Sequence, residues 1–290
     1  AITVIDPYTG NVVAMAGAIG EKTGSRLFNY ATARRQCGSA IKPISVYAPA
    51  LDKGVITPAS VIDDAPVRAL GGKAWPVNSH SYFDGLVSVD EAIAESLNTC
   101  AVRVVEELGV KESYNYMTDK LGFTTLVSDT DNPKQNDINS ASMGLGGLTR
   151  GVSTVEMAAA YAAFVNQGVY NEPRTYSKVT DQDGKTVIDN TGDSWVAMKE
   201  TTAYFMNKYL RQVVTSGTGG SAGFSGMTVA GKTGTTTDNY DRYFVGYTPY
   251  YVAAVWTGYE VNVKINASGN PSAKLFRQVM SKIHANLPNK

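Results

Sequence analysis

Residues 231–235 read Gly-Lys-Thr-Gly-Thr and lie in a segment, Met227 to Thr237, that is rich in β-branched residues. This composition is typical of a strand, and two more strand-like runs follow it. Two short elements precede it, Ser39-Ala40-Ile41-Lys42 and Ser96-Leu97-Asn98. Together the three motifs supply a hydroxyl nucleophile, two lysines, a second hydroxyl and an amide, which suffice for acyl transfer without histidine or metal. We therefore predict a serine acyl-enzyme.

The chemistry of these groups assigns each a role. A serine hydroxyl is a weak nucleophile until a neighbouring base takes its proton. If Ser39 opens a helix, Lys42 lies one turn later on the same face, within reach of the hydroxyl. Lys232 would be a second cation that lowers the pKa of Lys42 by like-charge repulsion and helps to hold an anionic substrate. Ser96 would be a proton shuttle, and Asn98 would hydrogen-bond both Lys42 and the substrate. These roles require the motifs to meet in space.

Each motif is weak alone, because the chain repeats two of them. Ser-x-Asn also occurs at residues 113–115 and 268–270, and Lys-Thr-Gly also occurs at residues 22–24. Lys22 lies in a Gly-rich stretch that is typical of a solvated loop. Ser96 instead falls between a helical stretch and an apolar run, which suits a corner between two helices at a cleft. The order and context of the motifs favour Ser39, Ser96 and Lys232.

Length and composition set broad limits on the protein. The chain has 290 residues, of which 43% are hydrophobic and 18% charged, which indicates a well-packed globular protein with two subdomains or lobes. The formal net charge is zero and no basic cluster stands out, so we expect no nucleic-acid partner. No apolar run is long enough to span a membrane and the first residues read as a strand, so we expect a soluble piece. We expect no cofactor and no metal.

The two cysteines, Cys37 and Cys100, lack the spacing of a zinc site. Each lies two residues from a proposed catalytic residue, so the thiols should approach each other if the motifs converge. Two buried free thiols are the first interpretation. The alternative hypothesis is a disulfide, which in the chain-entropy model would be worth roughly 4 kcal/mol.

The order of elements predicts the fold class. A hairpin spans residues 2–16, a helix with two prolines begins at Ser39, and helices dominate residues 89–168. A helix over residues 199–215, three strands between residues 228 and 259 and a final helix from Pro271 follow. We predict an α/β (α+β) fold: a five-stranded antiparallel sheet flanked by helices plus an all-helical subdomain. The sheet subdomain would comprise about residues 1–56 and 200–290, and the helical one about residues 57–199.

Other chemistry fits the sequence poorly. Residues 219–223 match Gly-x-Ser-x-Gly, but a helix precedes and a strand follows, the reverse of a nucleophile elbow. The carboxylates of Asp63, Asp64 and Asp84 read as solvated loop residues. We interpret His80 and His284 as surface or interface residues.

The chain resembles the transpeptidase domain of class A penicillin-binding proteins, a serine β-lactamase/transpeptidase-like fold, over nearly its whole length. The resemblance rests on these segments: Val4-Ile5-Asp6-Pro7, Arg35-Gln36-Cys37-Gly38-Ser39-Ala40-Ile41-Lys42-Pro43, Gly146-Gly147-Leu148-Thr149-Arg150-Gly151-Val152, Ala230-Gly231-Lys232-Thr233-Gly234-Thr235-Thr236 and Arg242-Tyr243-Phe244-Val245-Gly246-Tyr247-Thr248-Pro249.

The resemblance implies a D,D-transpeptidase of bacterial peptidoglycan. Ser39 would attack the carbonyl between the two terminal D-alanines of a stem peptide, Lys42 would be the base, and Ser96 would pass the proton to the leaving amine. The backbone N–H groups of Ser39 and Thr235 would form the oxyanion hole. The Thr233 and Thr235 hydroxyls with Lys232 would bind the substrate carboxylate, along a strand that Gly234 leaves open to a close approach. β-Lactams would acylate the same serine.

The resemblance also implies what accompanies this domain. Full-length members carry an N-terminal membrane anchor and a glycosyltransferase domain, and act at the extracytoplasmic face of the cell membrane. A D,D-carboxypeptidase side activity is consistent with the same chemistry.

Two residues depart from the pattern. Cys37 stands where such proteins usually have proline, and Leu97 replaces the aspartate of the β-lactamase-type Ser-Asp-Asn. The second departure argues against a β-lactamase, although Glu156 and Glu172 remain candidates for activating a deacylating water. The alternatives to a transpeptidase are a serine β-lactamase and a β-lactam-sensing receptor domain.

Overall fold

A five-stranded antiparallel sheet forms the centre of the protein. The computed structural model describes residues 1–80 and 82–290. The strands are β1 Ile2–Ile5, β2 Val12–Ala16, β3 Val61–Asp64, β4 Arg68–Leu70, β5 Lys73–Trp75, β6 Gly85–Ser88, β7 Val169–Asn171, β8 Lys178–Thr180, β9 Thr186–Asp189, β10 Ser194–Val196, β11 Ala230–Thr235, β12 Asp241–Tyr247 and β13 Val252–Gly258. The central sheet has the strand order β11-β12-β13-β1-β2. The predicted sheet, built from the N-terminal hairpin and three C-terminal strands, is confirmed.

The helices flank this sheet and also lie in the middle of the chain, but residues 57–199 carry the short strands β3 to β10 as well, so the subdomain predicted there is not all-helical. The α-helices are α1 Ala48–Asp52, α2 Val89–Ala94, α3 Asn98–Leu108, α4 Val110–Asn115, α5 Ser140–Leu145, α6 Thr154–Val165, α7 Glu200–Thr215 and α8 Pro271–Ile283. Short 3₁₀ segments span Gly38–Ile41, Gly220–Ala222 and Thr237–Asn239, and π-helical turns span Pro43–Tyr47 and Tyr116–Lys120. None of the helices within the described residues is both long enough and apolar enough to cross a bilayer.

Alternation along the central strands gives the sheet two apolar faces. In β12, Phe244 packs with Phe276 of α8 on one face, whereas Tyr243 and Val245 belong to the core on the other face. Successive side chains of a strand point to opposite faces, so both faces are buried and both must be covered. Helix α8 covers the first face, and α6 covers the second.

Helix α6 lies at the centre of the larger core. Most of its side chains are buried, and its sequence is apolar on all sides, as expected of a helix enclosed all round. A capping box begins it: the Ser153 hydroxyl accepts from the Glu156 N–H, and the Glu156 carboxylate accepts from the Ser153 N–H. The sheet therefore packs against a helix that is buried at the centre of the core.

The segment that carries Ser39 differs from the single helix that was predicted to begin there. It forms a 3₁₀ turn, a π turn and then α1. Pro43 and Pro49 lack the N–H that a continuous α-helix needs, which is the physical reason for the broken geometry. Two small ribbons lie outside the central sheet in this part of the chain: β8 pairs with β9, and Tyr170 of β7 pairs with Trp195 of β10.

Candidate active site

Ser39 lies in the 3₁₀ turn Gly38–Ile41, which is wedged between β11 and the loop after α5. Gly38 has φ +52°, and a Cβ there would lie 2.5 Å from the Thr235 carbonyl oxygen. Gly146 approaches from the other side, where a Cβ would lie 2.2 Å from the Gly38 carbonyl oxygen. Only glycine permits both contacts. The backbone of the Ser39 turn is therefore held at a fixed distance from the edge strand.

Lys42 points its amine at the corner between α2 and α3. The side chain is fully buried, and its Nζ donates to the Asn98 Oδ1 at 2.6 Å and to the Ser96 carbonyl oxygen at 2.7 Å. The Leu97 carbonyl oxygen lies at 3.3 Å and the Ser96 Oγ at 3.5 Å. Among the described residues, the hydrogen bonds of this amine all go to residues 96–98, and none goes to Ser39. Residues three apart in a 3₁₀ turn share one face, so the Lys42 side chain leaves from the side that carries Ser39.

Backbone strain shapes the Ser96 corner. Ser96 has φ +62°, in the left-handed region that non-glycine residues seldom adopt. Asn98 then begins α3, and its Nδ2 donates to the Val77 carbonyl oxygen at 2.7 Å. One amide hydrogen of Asn98 is thus already bound to protein, which leaves the other for a substrate. Strain of this kind is found at functional sites.

The repeated motifs lie elsewhere. Ser113 is buried and donates to the Ser45 carbonyl oxygen, whereas Ser268 and Lys22 are exposed. The structure thus brings Ser96-Leu97-Asn98, and not the other two Ser-x-Asn sequences, to the lysine.

Lys232 is the second lysine near this corner, and it is also fully buried. Its Nζ has one hydrogen bond within the described part of the chain, to the Thr233 carbonyl oxygen at 3.4 Å. Burial lowers the pKa of Lys232 to about 7, although the charge of Glu95 opposes this shift. Burial and then the charge of Lys232 lower the pKa of Lys42 well below its usual value. The surrounding carbonyl oxygens favour the ammonium form of Lys42, but the net direction is towards the free amine.

These pKa shifts predict how acylation depends on pH. If the free amine of Lys42 is the base, as the sequence predicts, the acylation step should speed up as the pH rises through the lowered pKa of Lys42. Lys232→Met removes a neighbouring positive charge, so the pKa of Lys42 should rise. The ascending limb of the pH–rate profile should then move to higher pH. The limb is measured by stopped flow at saturating penicillin, with the exposed Lys22→Met as the control. An ascending limb at the same pH in both variants would contradict the assignment.

Strand β11 forms the edge of the sheet next to the Ser39 turn. The Thr233 hydroxyl lies 3.0 Å from that of Thr218, and Arg242 Nη1 donates to the Thr235 Oγ1 at 2.9 Å. The sequence analysis gave neither Thr218 nor Arg242 a role in the site, although Arg242 opens one of the segments that carry the family resemblance. The structure gives a different reason for glycine at position 234 from the one predicted: a Cβ there would lie 2.0 Å from the Cys37 carbonyl oxygen. Glycine at this position lets strand β11 contact the turn that carries Ser39, in addition to any approach of a substrate that it permits.

A pocket of about 570 Å³ opens in front of Ser39. Its lining includes Ser39, Asn98 and Thr235, together with Gly146, Gly147 and Leu148. Lys42 and Lys232 lie behind this surface, because both are fully buried. The pocket therefore offers the serine hydroxyl to a ligand and keeps the two amines out of bulk water.

The structure agrees with the first interpretation of the two cysteines and not with the alternative disulfide. Cys37 and Cys100 are both buried, and both are free thiols. Burial raises the pKa of each, that of Cys100 to about 12, so neither is a reactive thiolate at neutral pH. The two residues act as small core side chains, and the structure does not support a disulfide.

Three polar residues also differ from the prediction. Asp64 is fully buried and hydrogen-bonded, not solvated as expected of its loop. His284 is 5% exposed and its Nε2 lies 2.7 Å from the Thr248 Oγ1, so it is a core residue. Glu156 caps α6 and also accepts from Thr124 and Thr125, so its carboxylate is bound away from the Ser39 pocket. Within residues 1–80 and 82–290, no cluster of three or more His, Cys, Asp or Glu is suited to a metal ion.

Comparison with known proteins places this geometry in a family. The penicillin binding protein transpeptidase domain matches residues 1–281. Penicillin-binding protein 1A of Clostridium acetobutylicum is 35% identical over 99% of this chain, and the match covers 36% of that protein. Penicillin-binding protein 1A/1B of Bacillus subtilis is 36% identical over 89% of this chain and 28% of that protein. The chain thus spans about a third of the length of the curated relatives it matches.

Solved structures agree on the fold. The PonA1 protein of Mycobacterium tuberculosis in complex with penicillin V superimposes with a TM-score of 0.81 at 24% identity, covering 100% of this chain and 78% of that one. Penicillin-binding protein 1A of Haemophilus influenzae gives a TM-score of 0.80 at 23% identity, covering 100% of this chain and 48% of that one. With the family match over residues 1–281, these findings show that the chain belongs to the transpeptidase domain family of penicillin-binding proteins and has the transpeptidase function of that family.

Proposed function

We propose that this domain cross-links peptidoglycan stem peptides through an acyl-enzyme on Ser39, and that β-lactams acylate the same serine. One observation carries the proposal: the Lys42 Nζ is fully buried and lies 2.6 Å from the Asn98 Oδ1 and 3.5 Å from the Ser96 Oγ. Burial and the nearby charge of Lys232 lower the pKa of this amine. A buried amine with a lowered pKa is the base that a histidine-free serine nucleophile requires. The relatives named as penicillin-binding proteins support the choice of ligand.

The acylation step uses these groups in order. The Ser39 oxygen attacks the carbonyl carbon between the two terminal D-alanines, and its proton passes to the free amine of Lys42. The tetrahedral oxyanion receives hydrogen bonds from the N–H groups of Ser39 and Thr235. N–H groups in the first turn of a helix have no intrahelical partner, which supports the role of Ser39. The carbon–nitrogen bond then breaks, and the Lys42 ammonium returns the proton through Ser96 to the leaving amine, which departs as D-alanine.

The second step transfers the acyl group. An amine of a neighbouring stem peptide attacks the ester carbonyl, an amide forms, and the Ser39 oxygen leaves and is protonated again. Water in place of this amine gives the D,D-carboxypeptidase side reaction. A peptide lying along β11 would extend the sheet, because β11 is an edge strand with only β12 beside it among the described strands. The Thr233 and Thr235 hydroxyls would bind the substrate carboxylate.

Lys232 would bind the substrate carboxylate by its charge. Burial lowers the pKa of Lys232 to about 7, so the amine is only partly charged at neutral pH. A substrate carboxylate beside this amine would favour its charged form. The resulting ion pair would have almost no net charge, so we expect it to hold the substrate and not to shift the pKa of Lys42.

The curated relatives are about three times longer than the part of them that this chain matches. We propose that the complete protein likewise extends beyond this domain. It would be a bacterial cell-wall enzyme with a membrane anchor and an N-terminal glycosyltransferase domain, which places this domain on the extracytoplasmic side. The division into a sheet subdomain, residues 1–56 and 200–290, and a helical subdomain, residues 57–199, stays a prediction.

The lifetime and location of the penicillin adduct test the proposal. Intact-mass spectrometry and peptide mapping should find one penicillin per chain, attached to Ser39. The adduct should persist for many times the half-time of its own formation. The Ser39→Ala variant serves as the blank. An adduct on another residue would refute the site assignment, and rapid hydrolysis would favour a β-lactamase. Acylation without any release of D-alanine from a stem peptide would favour a receptor domain.

A further inference from the structure

A fully buried carboxylate lies behind the Asn98 end of the site. Asp64 is the last residue of β3, and its Oδ1 accepts from the Asn78 Nδ2 at 2.7 Å and from the Thr99 hydroxyl. Its Oδ2 accepts from the Asp84 N–H at 2.8 Å. Every oxygen of this carboxylate therefore has a donor, as a buried charge requires. The neighbouring Asp63 is exposed, and its ion pair is with Arg103, at 3.4 Å.

Three hydrogen bonds connect Asp64 to the proposed base. Asn78 Nδ2 donates to Asp64, the Asn98 N–H donates to the Asn78 Oδ1 at 2.8 Å, and Lys42 donates to the Asn98 Oδ1 at 2.6 Å. Asn78 is 8% exposed, so its amide meets little water. The carbonyl oxygen of Val77, beside Asn78 in the chain, accepts from the Asn98 Nδ2. The loop before β6 thus grips both the backbone and the side chain of Asn98.

The charge of Asp64 determines which way the Asn78 amide faces. A carboxylate only accepts hydrogen bonds, so it binds the NH₂ side of the amide and leaves the oxygen for the Asn98 N–H. Burial opposes ionisation of Asp64, but hydrogen bonds from Thr99, the Asp84 N–H and Asn78 outweigh it and lower the pKa of Asp64. The carboxylate form, which imposes this direction, is therefore the stable one at neutral pH.

We propose that Asp64 is a positioning residue for the acylation step: it orients Asn78, and Asn78 holds the first turn of α3 so that the Asn98 Oδ1 stays on the Lys42 amine. The proposal rests on the proposed roles of Ser39 and Lys42. Asp64 touches neither substrate nor base, and its effect passes through Asn98. The effect should therefore appear in the rate of acylation and not in the binding of penicillin.

The substitution Asp64→Asn leaves no arrangement that satisfies all neighbours. If the oxygen of the new amide faces Asn78, the NH₂ group of the new amide faces the Asp84 N–H. In the opposite orientation, the NH₂ group of the new amide faces the NH₂ group of Asn78. Either way two donors face each other in a buried place. We expect the maximal rate of acylation to fall about ten- to a hundredfold, because small displacements of catalytic groups have effects of this size.

Exchange of the two side chains should rescue the site. In the double variant Asp64→Asn/Asn78→Asp, the new amide can accept from the Asp84 N–H and donate to the new carboxylate, while the Thr99 hydroxyl turns to accept. The carboxylate at position 78 still accepts from the Asn98 N–H. The single Asn78→Asp variant instead places two carboxylates side by side and should be slow. We expect the exchanged variant to recover to within about threefold of the wild-type rate, since coupled neighbours are strongly non-additive.

Stopped-flow acylation of the whole chain by a fluorescent penicillin separates the maximal rate from the binding constant, and thermal unfolding reports the melting temperature. The matched control is Asp63→Asn, which changes the adjacent exposed aspartate and should leave the rate unchanged. If Asp64→Asn does not fold, Asn78→Ala takes its place, because it removes the acceptor of the Asn98 N–H and leaves Asp64 with Thr99 and Asp84.

The outcomes separate the two proposals. A folded Asp64→Asn or Asn78→Ala variant that is acylated within about threefold of the wild-type rate overturns the positioning role. So does an exchanged variant that regains the wild-type melting temperature and stays as slow as Asp64→Asn. A wild-type chain that forms no Ser39 adduct refutes the proposed function itself, whereas a Ser39 adduct that forms equally fast in all variants refutes only the positioning role.

Discussion

Lys42→Arg should be acylated by penicillin about a thousandfold more slowly than the wild type, the typical contribution of a general base. The substitution keeps a positive charge and hydrogen-bond donors for the acceptors at residues 96–98. A guanidinium, however, does not lose its proton in proteins, so it cannot accept the proton of Ser39. The loss should appear in the maximal rate of acylation, measured by stopped flow with a fluorescent penicillin.

Two further variants make this test specific. Lys53→Arg is the control, because Lys53 is exposed, pairs with Glu112 and lies outside the Ser39 pocket. Lys42→Met removes the amine without adding volume, so it answers the objection that arginine overfills a fully buried space. Acylation of both Lys42 variants within about tenfold of the wild type, with folded protein shown by circular dichroism, would remove Lys42 as the base.

Gly234→Ala should lower both stability and acylation. The new Cβ would lie 2.0 Å from the Cys37 carbonyl oxygen, 3.0 Å from the Tyr243 Cβ and 3.1 Å from the Ala40 Cβ. Two of these atoms belong to the nucleophile turn and the residue that caps it, so β11 and that turn must separate. Overpacking of this kind typically costs about 1–3 kcal/mol of the free energy of unfolding, and the displaced Ser39 should react at least about a hundredfold more slowly.

Gly220→Ala is the matched control for this substitution. Gly220 also lies in a regular segment without a positive φ, and its nearest neighbour to a new Cβ is the Val214 carbonyl oxygen at 3.8 Å. Urea unfolding and penicillin acylation are measured on both variants. If Gly234→Ala is as stable and as reactive as Gly220→Ala, the close contact between β11 and the Ser39 turn is not what positions the nucleophile.

Sequence patterns predicted the sheet, since the signals that produce it are local. The turn residues between β1 and β2, the apolar runs of β12 and β13 and the proline that opens α8 each act within a few residues. The motifs likewise named the candidate groups in advance. The prolines at 43 and 49 signalled an irregular helix, but they did not specify the succession of 3₁₀, π and α turns.

Asp64 shows why one part of the site escaped prediction. Its sequence neighbours include a second aspartate, Asp63, and a proline, Pro66, which are typical of a solvated loop. A signal was nevertheless present: Ile62 and Asp64 are two residues apart, so in a strand they share one face, and Ile62 is buried. The pairing of β3 with β6 is what turns that face inward. Such a short alternation cannot be recognised before the strand is known.

The order of residues in the chain was enough to specify the five strands of the central sheet, the central helix and the types of side chain available for acyl transfer. Only the folded protein brings Ser96-Leu97-Asn98, and not its two repeats, to Lys42. Only folding buries Lys42 and Lys232 and places the Cys37 carbonyl oxygen against Gly234. These choices depend on contacts between residues that are far apart in the chain, such as Lys42 with Asn98. Local propensity carries no record of such contacts, because they form only when the apolar faces of distant elements pack together.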